Sequence, residues 1–399
     1  MNLLLAWELG GNWGHLARDL PVLRRLQAEG HDVLYAVREQ HLAPARFASS
    51  GIPCVAAPTG AAIRRIPRNL AGYAAILFAD GFGDAAILAQ RLAGWINLFA
   101  EHETDVLLAD YAPGALLAAR VAGIPSVTCG SGFEIPPDVA SLPSFLTNAA
   151  QDEAARRFSE GLVLFNVNQA LHRLGRMPLE RLAQAFQGTR NVFTTFAELD
   201  HIADRAAGAL YAGAVQDLPG GMAAGWNGAN TPRVLMYLRE MGPAIDEVLH
   251  VLDGIGAEVI AVLPDAGSIR RVHADARVFR QPVRFDGLLG TAVLVIASGS
   301  GTITSALLAG VPVLALPTTA EQAMFARRVQ AMGAGIAADT GTVAGIAGAI
   351  HRFLTDATLR TGARRFAAQY AGCSTESAIH KVIDATHDAA RSRPWSMPS

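Results

Sequence analysis

Short apolar runs alternate with longer segments of helical periodicity along nearly the whole chain. The first run, Asn2–Glu8, precedes a helical segment from His15 to Glu29 in which leucines recur on one face, and Asp32–Val37 is the next apolar run. Apolar strands separated by helices are typical of parallel sheets that carry helices on both faces. The pattern therefore predicts an α/β fold.

The alternation is interrupted between about residues 210 and 231, where proline, glycine and asparagine are frequent, as in a linker. We therefore predict two Rossmann-like, doubly wound domains of α/β class: residues 1–213, a linker at 214–232, a second domain at 233–375, and a C-terminal helical segment at 376–399. Further strands are predicted at Val106–Ala109, Ser126–Cys129, Val163–Phe165, Val192–Thr195, Arg233–Leu238, Glu258–Leu263, Val293–Ala297 and Val313–Leu316.

Composition narrows the class of protein. The chain has 399 residues, 51% of them hydrophobic and 17% charged, which indicates large buried cores and not disorder. Its net charge of -2 gives no electrostatic basis for binding nucleic acid. Three cysteines, Cys54, Cys129 and Cys373, lie far apart, which favours a reducing compartment and no metal cluster.

The apolar runs are too short to span a membrane, since a spanning helix needs about 20 apolar residues. The start of the chain, Met1 to Trp7, is short for a signal peptide and lacks a basic leader. We expect a cytoplasmic protein with no transmembrane segment, and peripheral membrane contact is left open.

One segment, residues 293–335, contains the most informative chemistry. An apolar strand ending at Ala297 leads into a turn of small residues, 298–301, and then into a helix near Thr302. Backbone N–H groups at such a helix N-terminus form a binding site for phosphate. A second strand and helix follow, and Glu321 and Gln322 at the start of that helix have side chains able to hydrogen-bond sugar hydroxyls.

This segment resembles the donor-binding signature of GT-B nucleotide-sugar glycosyltransferases, in particular the macrolide, flavonoid and glucuronosyl transferase family. It departs from that signature at Ala297, where the family has a phosphate-contacting histidine, at Ser298, where it has a glycine, and at Glu321, where it has an aspartate. The residues that match are Gly299, Gly301, Thr302, Ala306, Leu307, Gly310, Val311, Pro312, Pro317, Gln322, Ala326 and Arg327.

The resemblance implies two domains facing a cleft, with the donor bound by the second and the C-terminal helix crossing back to the first. It also implies inverting transfer of a sugar from a nucleoside diphosphate to a hydroxyl of a small-molecule acceptor, without a cofactor. No Asp-x-Asp motif is evident, so we predict no metal. Arg239 would bind the diphosphate, although it could equally reach solvent or Glu240. The predicted donor-binding residues are Arg239, Ser298, Gly299, Ser300, Gly301, Thr302, Glu321 and Gln322.

The first strand runs into a glycine-rich loop that ends at His15. The loop lacks the GxGxxG spacing of a dinucleotide site. It resembles the Gly-His opening of the same family, in which the histidine deprotonates the acceptor. A helix N-terminus disfavours imidazolium, so His15 is expected to be neutral and able to accept a proton. The alternative is a histidine that caps the helix or packs beside Trp13.

A basic histidine needs a partner that fixes its tautomer and stabilises its charge. Asp110 ends the apolar strand 105–109, and the stretch from there to Val127 resembles the family pattern in which an aspartate pairs with the histidine. The alternative is an aspartate that caps the following helix.

Acceptor contacts are predicted from loops that follow strands. Phe133 and Glu134 follow one strand, and Asn12 and Trp13 follow the first. The alternative for Glu134 is a solvated carboxylate. Aromatic residues between Gly60 and Leu98 line an acceptor pocket or pack in the core; these are Tyr73, Phe78, Phe82 and Trp95.

Three other functions remain open at this level. A hexosamine transferase acting on a lipid-linked acceptor would use the basic, apolar stretch Ile63–Arg68, which contains Arg64 and Arg65. A sugar-nucleotide-binding subunit without catalysis is suggested by Ala297. A nucleotide-sugar epimerase shares the fold, but the sequence has no cluster of additional acidic residues to support it.

Overall fold

The computed structural model describes residues 1–11, 13–38, 51–60, 63, 65–203, 205–215, 221–228, 231–238, 244–264, 276–338 and 343–392. The chain forms two compact units. The first contains residues 1–196, 202–217 and 374–399, and the second contains residues 197–201 and 218–373. The domain limits drawn from the sequence stay predictions, although the chain leaves the first unit at Asp217, inside the predicted linker.

The first unit is built on a seven-stranded parallel sheet in the order β3-β2-β1-β4-β5-β6-β7. Its central strands are fully buried, as expected for a sheet covered on both faces. The strands are β1 Asn2–Trp7, β2 Asp32–Val37, β3 Cys54–Ala56, β4 Val106–Asp110, β5 Ser126–Gly130, β6 Arg190–Phe193 and β7 Leu210–Tyr211.

The second unit is built on a six-stranded parallel sheet in the order β10-β9-β8-β11-β12-β13. Its strands are β8 Arg233–Tyr237, β9 Glu258–Val262, β10 Ala276–Phe279, β11 Leu294–Ala297, β12 Val313–Ala315 and β13 Gly335–Ala337.

Helices connect the strands of both sheets. Those described in the first unit are α1 Trp13–Ala28, α2 Gly72–Leu77, α3 Ala85–Glu101, α4 Pro113–Ala122 and α5 Glu153–Arg173. Those described in the second unit are α6 Ala244–Gly254, α7 Ser300–Leu308, α8 Ala320–Ala331, α9 Val343–Thr355 and α10 Ala357–Gln369. The last helix, α11 Thr375–Arg391, belongs to the first unit.

Both sheets have the doubly wound topology, in which the strand order reverses once near the middle. The reversal lies between β1 and β4 in the first sheet and between β8 and β11 in the second. The predicted fold class, two parallel-sheet α/β domains, is confirmed. Ligands of such sheets bind beyond the carboxyl ends of the strands at the reversal. We therefore expect functional residues in the loops that follow β1, β4, β8 and β11.

One predicted strand is wrong. Val163–Phe165 lies within α5, not in a strand. The buried residues of that helix, which include Ser159, Val163 and Val167, recur every four residues, and Phe165 is 60% exposed. A short apolar run cannot distinguish a buried strand from one stripe of a helix.

Part of the predicted linker packs against the second unit. Met222 pairs with Val283 in an isolated parallel bridge. The Trp226 indole donates to the carbonyl of Leu288, and the Glu258 carboxylate accepts from the backbone N–H groups of residues 227 and 228. These residues therefore form an ordered part of that unit.

No single helix within the described ranges combines the length and apolar character of a membrane span. One bent pair of helices, residues 72–82 and 85–101, reaches the length and apolar composition of a membrane span when the two are taken together. The angle between the two helices is 75°.

Candidate active site and donor-binding site

His15 and Asp110 lie at the reversal of the first sheet. Trp7, the last residue of β1, is the register partner of Asp110, the last residue of β4. His15 follows β1 in the first turn of α1. The parallel pairing of two buried strands therefore brings these side chains together, although 95 residues separate them.

The two side chains form a short, buried contact. Nδ1 of His15 lies 2.7 Å from Oδ2 of Asp110, and their relative exposures are 9% and 0%. The Trp7 ring stacks on the imidazole, with centroids 4.8 Å apart and an interplanar angle of 22°. The imidazole is thus held on one side by an aromatic ring and at one nitrogen by a carboxylate.

Gly10 leaves room for the other imidazole nitrogen. A Cβ built on Gly10 would lie 2.4 Å from Nε2 of His15, which is far closer than two such atoms can approach. Gly10 also has φ +82°, a conformation that side chains rarely adopt. Glycine is therefore required at position 10 by the position of His15, since glycine alone fits both the backbone and the ring.

The protonation of the pair follows from the charge on Asp110. Burial raises the pKa of this carboxyl, but Arg18 and His15 outweigh that effect, and the net pKa lies below its usual value. Asp110 is therefore ionised and accepts the Nδ1 proton of His15. In the neutral imidazole, Nε2 is then the nitrogen with the free lone pair, as a general base requires.

Arg18 is a member of this site that the sequence reasoning missed. It lies three residues after His15 on α1, and Nη2 donates to Oδ1 of Asp110. The same atom is 3.0 Å from Nδ1 of His15, but both nitrogens are donors here, so we assign its hydrogen bond to the carboxylate. The spacing of three residues was the available signal, but an arginine on a surface helix ordinarily reaches solvent.

Asp19 adds a second buried carboxyl behind Asp110. The Tyr35 hydroxyl donates to Oδ2 of Asp19 at 2.6 Å, and Asp19 shares a side-chain hydrogen bond with Asp110. Burial and the negative charge of Asp110 raise the pKa of Asp19 well above its usual value. Two adjacent carboxylates cannot both be charged in a buried site, so Asp19 keeps its proton and donates it to Asp110.

Glu134 joins the same group of charges. Its Oε2 accepts hydrogen bonds from the backbone N–H and the hydroxyl of Ser131, at 2.8 and 2.9 Å. Its Oε1 lies 3.6 Å from Nη1 of Arg18. The alternative of a fully solvated carboxylate is wrong, because 10% of the side chain is exposed.

The ligand atoms of His15, Asp110 and Glu134 lie within 4.8 Å of one another, which is a spacing that a metal ion could use. The Arg18 guanidinium already contacts all three side chains. The negative charge of the two carboxylates is therefore partly offset by a cation that belongs to the protein.

Phe133, predicted to contact an acceptor, and the aromatic residues predicted to line an acceptor pocket are buried. The ring of Phe133 packs against Tyr73 and Phe145, with centroids 5.0 and 5.3 Å away, and 5% of Phe133 is exposed. Trp95 is fully buried, and its indole donates to Glu8. Phe78 and Phe82 are 6% and 0% exposed, so the structure favours core packing for the set from 60 to 98.

Some predicted site residues cannot be placed. Asn12, Arg239 and Arg64 lie outside the described residues, as does the side chain of Trp13. Their roles stay predictions.

The predicted phosphate turn lies at the reversal of the second sheet. The strand β11 ends at Ala297, and α7 begins at Ser300 with Gly299 as its N-cap. A glycine cap offers no side chain to the first-turn N–H groups, and α7 has no acidic residue in that turn. A Cβ on Gly299 would meet no atom within 4 Å, so the space beside this residue is open.

Ser298 lies in the turn before the helix and Ser300 and Thr302 lie in its first turn, and all three residues are half-buried. Gly301 is exposed in the first turn. Ala297, which replaces the histidine of the family signature, is fully buried. The predicted turn thus presents backbone N–H groups and hydroxyls, but no ring nitrogen.

Glu321 and Gln322 begin α8, and both side chains have partners. Oε1 of Gln322 accepts from the N–H and the hydroxyl of Thr318. Oε1 of Glu321 lies 2.8 Å from Nε2 of His201, whose side chain is fully buried. The sequence reasoning missed His201, since 120 residues separate it from Glu321 and no motif surrounds it.

The match to a known protein family covers most of the second unit and the first part of α11. Residues 246–384 match the model of the erythromycin biosynthesis protein CIII-like C-terminal domain. A glycosyltransferase of PGL/p-HBAD biosynthesis from Mycobacterium tuberculosis is 30% identical over 148 residues. That match covers 36% of this chain and 35% of the relative, so the chain spans about a third of the length of the curated relatives it matches.

Solved structures resemble the whole chain in fold. The spinosyn rhamnosyltransferase SpnG is 20% identical to this chain, with a TM-score of 0.67. The match covers 96% of this chain and 100% of the SpnG chain. SpnG has also been solved with thymidine diphosphate and with spinosyn aglycone. The glycosyltransferase VinC, solved with dTDP, is 16% identical with a TM-score of 0.69, covering 97% and 100%. The resemblance to GT-B glycosyltransferases is therefore confirmed: the chain has the fold of these proteins, and residues 246–384 match the model of the erythromycin biosynthesis protein CIII-like C-terminal domain.

Proposed function

We propose that this protein is an inverting glycosyltransferase that moves a sugar from a nucleoside diphosphate sugar to a hydroxyl group of a small-molecule acceptor. The observation that carries the proposal is the buried contact between His15 and Asp110, which leaves Nε2 of His15 as a proton acceptor beside Gly10. The fold and the C-terminal domain match support the same class of reaction.

His15 acts as the general base in this proposal. Its Nε2 takes the proton of the acceptor hydroxyl as the oxygen attacks the anomeric carbon of the sugar. The bond between that carbon and the diphosphate oxygen breaks in the same displacement, which inverts the anomeric configuration. The ionised Asp110 stabilises the imidazolium that forms, and Arg18 and Asp19 hold Asp110 in place.

The N-terminus of α7 receives the leaving diphosphate. Its first-turn N–H groups and the hydroxyls of Ser298, Ser300 and Thr302 are donors for the developing negative charge. These donors and the helix dipole replace a metal ion, and we propose transfer without a metal. Glu321, oriented by His201, and the amide of Gln322 bind sugar hydroxyls.

Thymidine diphosphate is the nucleotide best supported by the comparisons, since both SpnG and VinC have been solved with it. An aglycone is the acceptor class that the SpnG complex suggests. We place the reaction in the cytoplasm, because the cysteines Cys54, Cys129 and Cys373 are all free thiols.

Calorimetric titration of the protein with UDP, dTDP and GDP, with and without EDTA, tests the donor site. We expect micromolar binding of dTDP that EDTA does not change. Binding that EDTA abolishes would contradict metal-free transfer. Absence of binding by all three nucleotides would contradict the donor site, and it would favour a protein in which Ala297 has disabled the site.

A further inference from the structure

A second group of possible metal ligands lies on the first unit, at the junction of α1, β2 and α11. It consists of Glu29, His31 and His387, whose ligand atoms all lie within 4.8 Å of one another. The glycosyl transfer proposed above does not use these residues. We propose that they form a binding site for a divalent transition-metal ion, with Zn²⁺ as the best match, which attaches the C-terminal helix α11 to the end of α1.

The spacing of the two imidazoles is the main evidence. Nε2 of His31 lies 3.2 Å from Nε2 of His387, and the rings meet edge to face with centroids 5.4 Å apart. Two nitrogens bound to one tetrahedral zinc at about 2.0–2.1 Å are roughly 3.3 Å apart. The separation of the two ring nitrogens is thus already close to the one that a shared Zn²⁺ would require.

The backbone holds Glu29 and His31 in place. Gly30 lies between them with φ +85°, and it turns the chain at the C-terminal end of α1. The N–H of Gly30 bonds to the carbonyl of Gln27, and the N–H of His31 bonds to the carbonyl of Leu26. These bonds form a helix C-cap, which fixes the residues on both sides of the glycine.

Glu29, the third ligand, would have to exchange its hydrogen bond with Arg25 for the metal ion. Oε1 of Glu29 accepts from Nε of Arg25 at 2.7 Å, in an i,i+4 pair whose side chains are 35% and 29% exposed. Pairs of this kind contribute little, so a metal ion can replace the arginine. Arg25 keeps a second partner, since its Nη1 lies 2.5 Å from Oε1 of Glu376 on α11.

The type and location of the ligands favour a transition metal. Two imidazoles and one carboxylate suit Zn²⁺ and its neighbours better than Mg²⁺ or Ca²⁺, which prefer oxygen ligands alone. The site also lies at the C-terminal end of α1, where the helix dipole favours a cation. His31 and His387 are half-buried and Glu29 is exposed, so water can complete the coordination.

A shared metal ion would have a defined structural effect. It would join His31, at the start of the chain, to His387, 356 residues later on the last helix. The ion would therefore stabilise the closure of the first unit by its C-terminal segment. Two neutral histidines joined by a hydrogen bond are the alternative, and in that case the group would bind no metal.

Zinc titration of the untagged full chain tests the proposal. We expect one Zn²⁺ per chain and a rise of a few degrees in the thermal midpoint. The substitutions His31→Gln and His387→Gln should each weaken binding by at least about tenfold, and Glu29→Gln should weaken it less, because the two imidazoles remain. The control His172→Gln changes an exposed histidine on α5 and should bind like the wild type.

Cobalt distinguishes this site from the free thiols and from the group around His15. Co²⁺ bound by two imidazoles and a carboxylate gives visible d–d bands without the sulfur-to-cobalt charge-transfer band. Far-UV circular dichroism confirms that each variant folds. The proposal is overturned if the wild type binds no Zn²⁺, if binding survives both histidine substitutions, if the sulfur band appears, or if only His15→Gln abolishes binding.

Discussion

His15 takes its role from three neighbours that act on different parts of its ring. Asp110 binds Nδ1, Trp7 stacks on the ring face, and Gly10 leaves space at Nε2. Asp110 fixes the tautomer of the imidazole, Trp7 limits its tilt, and Gly10 keeps Nε2 unobstructed. The proposed proton transfer therefore depends on the contacts that individual residues make with the imidazole.

Substituting His15 by alanine tests the general base. We expect turnover to fall by at least about 10² to 10⁴, because no other group would take the acceptor proton. Affinity for the nucleotide should stay within a few-fold, since the donor turn lies in the second unit. The measurement is the initial rate together with calorimetric binding. Turnover that persists in His15→Ala would show that the base is another residue.

Gly10→Ala tests the space at Nε2. The added Cβ would lie 2.4 Å from Nε2 and would place alanine at φ +82°, so the imidazole must move. We expect the rate to fall nearly as far as in His15→Ala, with nucleotide affinity unchanged. Gly161→Ala is the matched control, since its Cβ would meet no atom within 4 Å. Full activity in Gly10→Ala would contradict the position assigned to His15.

Asp19→Asn tests the protonated carboxyl behind Asp110. Unfolded Asp19 loses its proton near pH 3.8, whereas in the folded protein its pKa is well above that value. Folding therefore takes up a proton above that pH. The contribution of Asp19 to the free energy of unfolding is fully present below about pH 4, and it is lost as the pH rises toward the pKa of the folded protein.

Asparagine does not titrate, so the stability lost in Asp19→Asn should shrink as the pH rises from 4, by at most about 1.4 kcal/mol per pH unit. Urea unfolding of both proteins between pH 4 and 7 measures this difference. A difference that stays constant across the range would show that Asp19 is charged in the folded protein.

At the scale of elements, the N-terminus of α7 combines a glycine cap with open space beside that glycine. The conformation of Gly299 is ordinary, with φ -83°, so glycine is not required there by the backbone. In the proposed donor site, the lack of a side chain at Gly299 would allow a phosphate to approach the backbone closely.

Gly299→Ala should therefore leave the fold intact and weaken nucleotide binding. The new methyl group meets no protein atom within 4 Å but occupies the side from which phosphate would approach. We expect a loss of about tenfold or more in dTDP affinity, about 1.4 kcal/mol, with an unchanged or slightly raised thermal midpoint. Gly348→Ala on α9, where a Cβ also meets no atom, is the control. Equal affinities for both variants would place the diphosphate elsewhere.

For the molecule as a whole, the first unit is assembled from segments distant in the sequence. Residues 374–399 belong to it, although the second unit separates them from the rest. Ile379, Val382 and Ile383 of α11 are buried in the same core as the strands of the first sheet. The last helix is thus part of the first hydrophobic core.

Ile383→Ala should consequently destabilise the first unit by about 2–5 kcal/mol, since the side chain is 3% exposed and its removal leaves a cavity. The neighbouring Asp384→Ala changes an exposed residue and should have little effect. Hydrogen exchange of β1 and β4 in the two variants is the measurement, because it reports on the first unit separately. Unchanged protection in Ile383→Ala would show that α11 is dispensable for that core.

The sequence by itself determined the repeated alternation of strand and helix and the turn of small residues between the strand ending at Ala297 and the following helix. These features are local, since each depends on a short run of residues whose periodicity or motif is visible without neighbours. Resemblance to a family then supplied the pairing of His15 with Asp110, which are 95 residues apart, and the proposed roles. Where a local pattern was ambiguous, as for Val163–Phe165, the sequence prediction was wrong.

Only the tertiary structure brought Arg18, Asp19, Tyr35 and Glu134 together around the dyad, and only it placed His201 on Glu321. The reason is that the burial of a charged side chain depends on the residues packed around it in the folded chain. An arginine or aspartate on an amphipathic helix has the same sequence pattern whether it faces water or a second charge. Which of the two it faces is decided by the strands that fold against it.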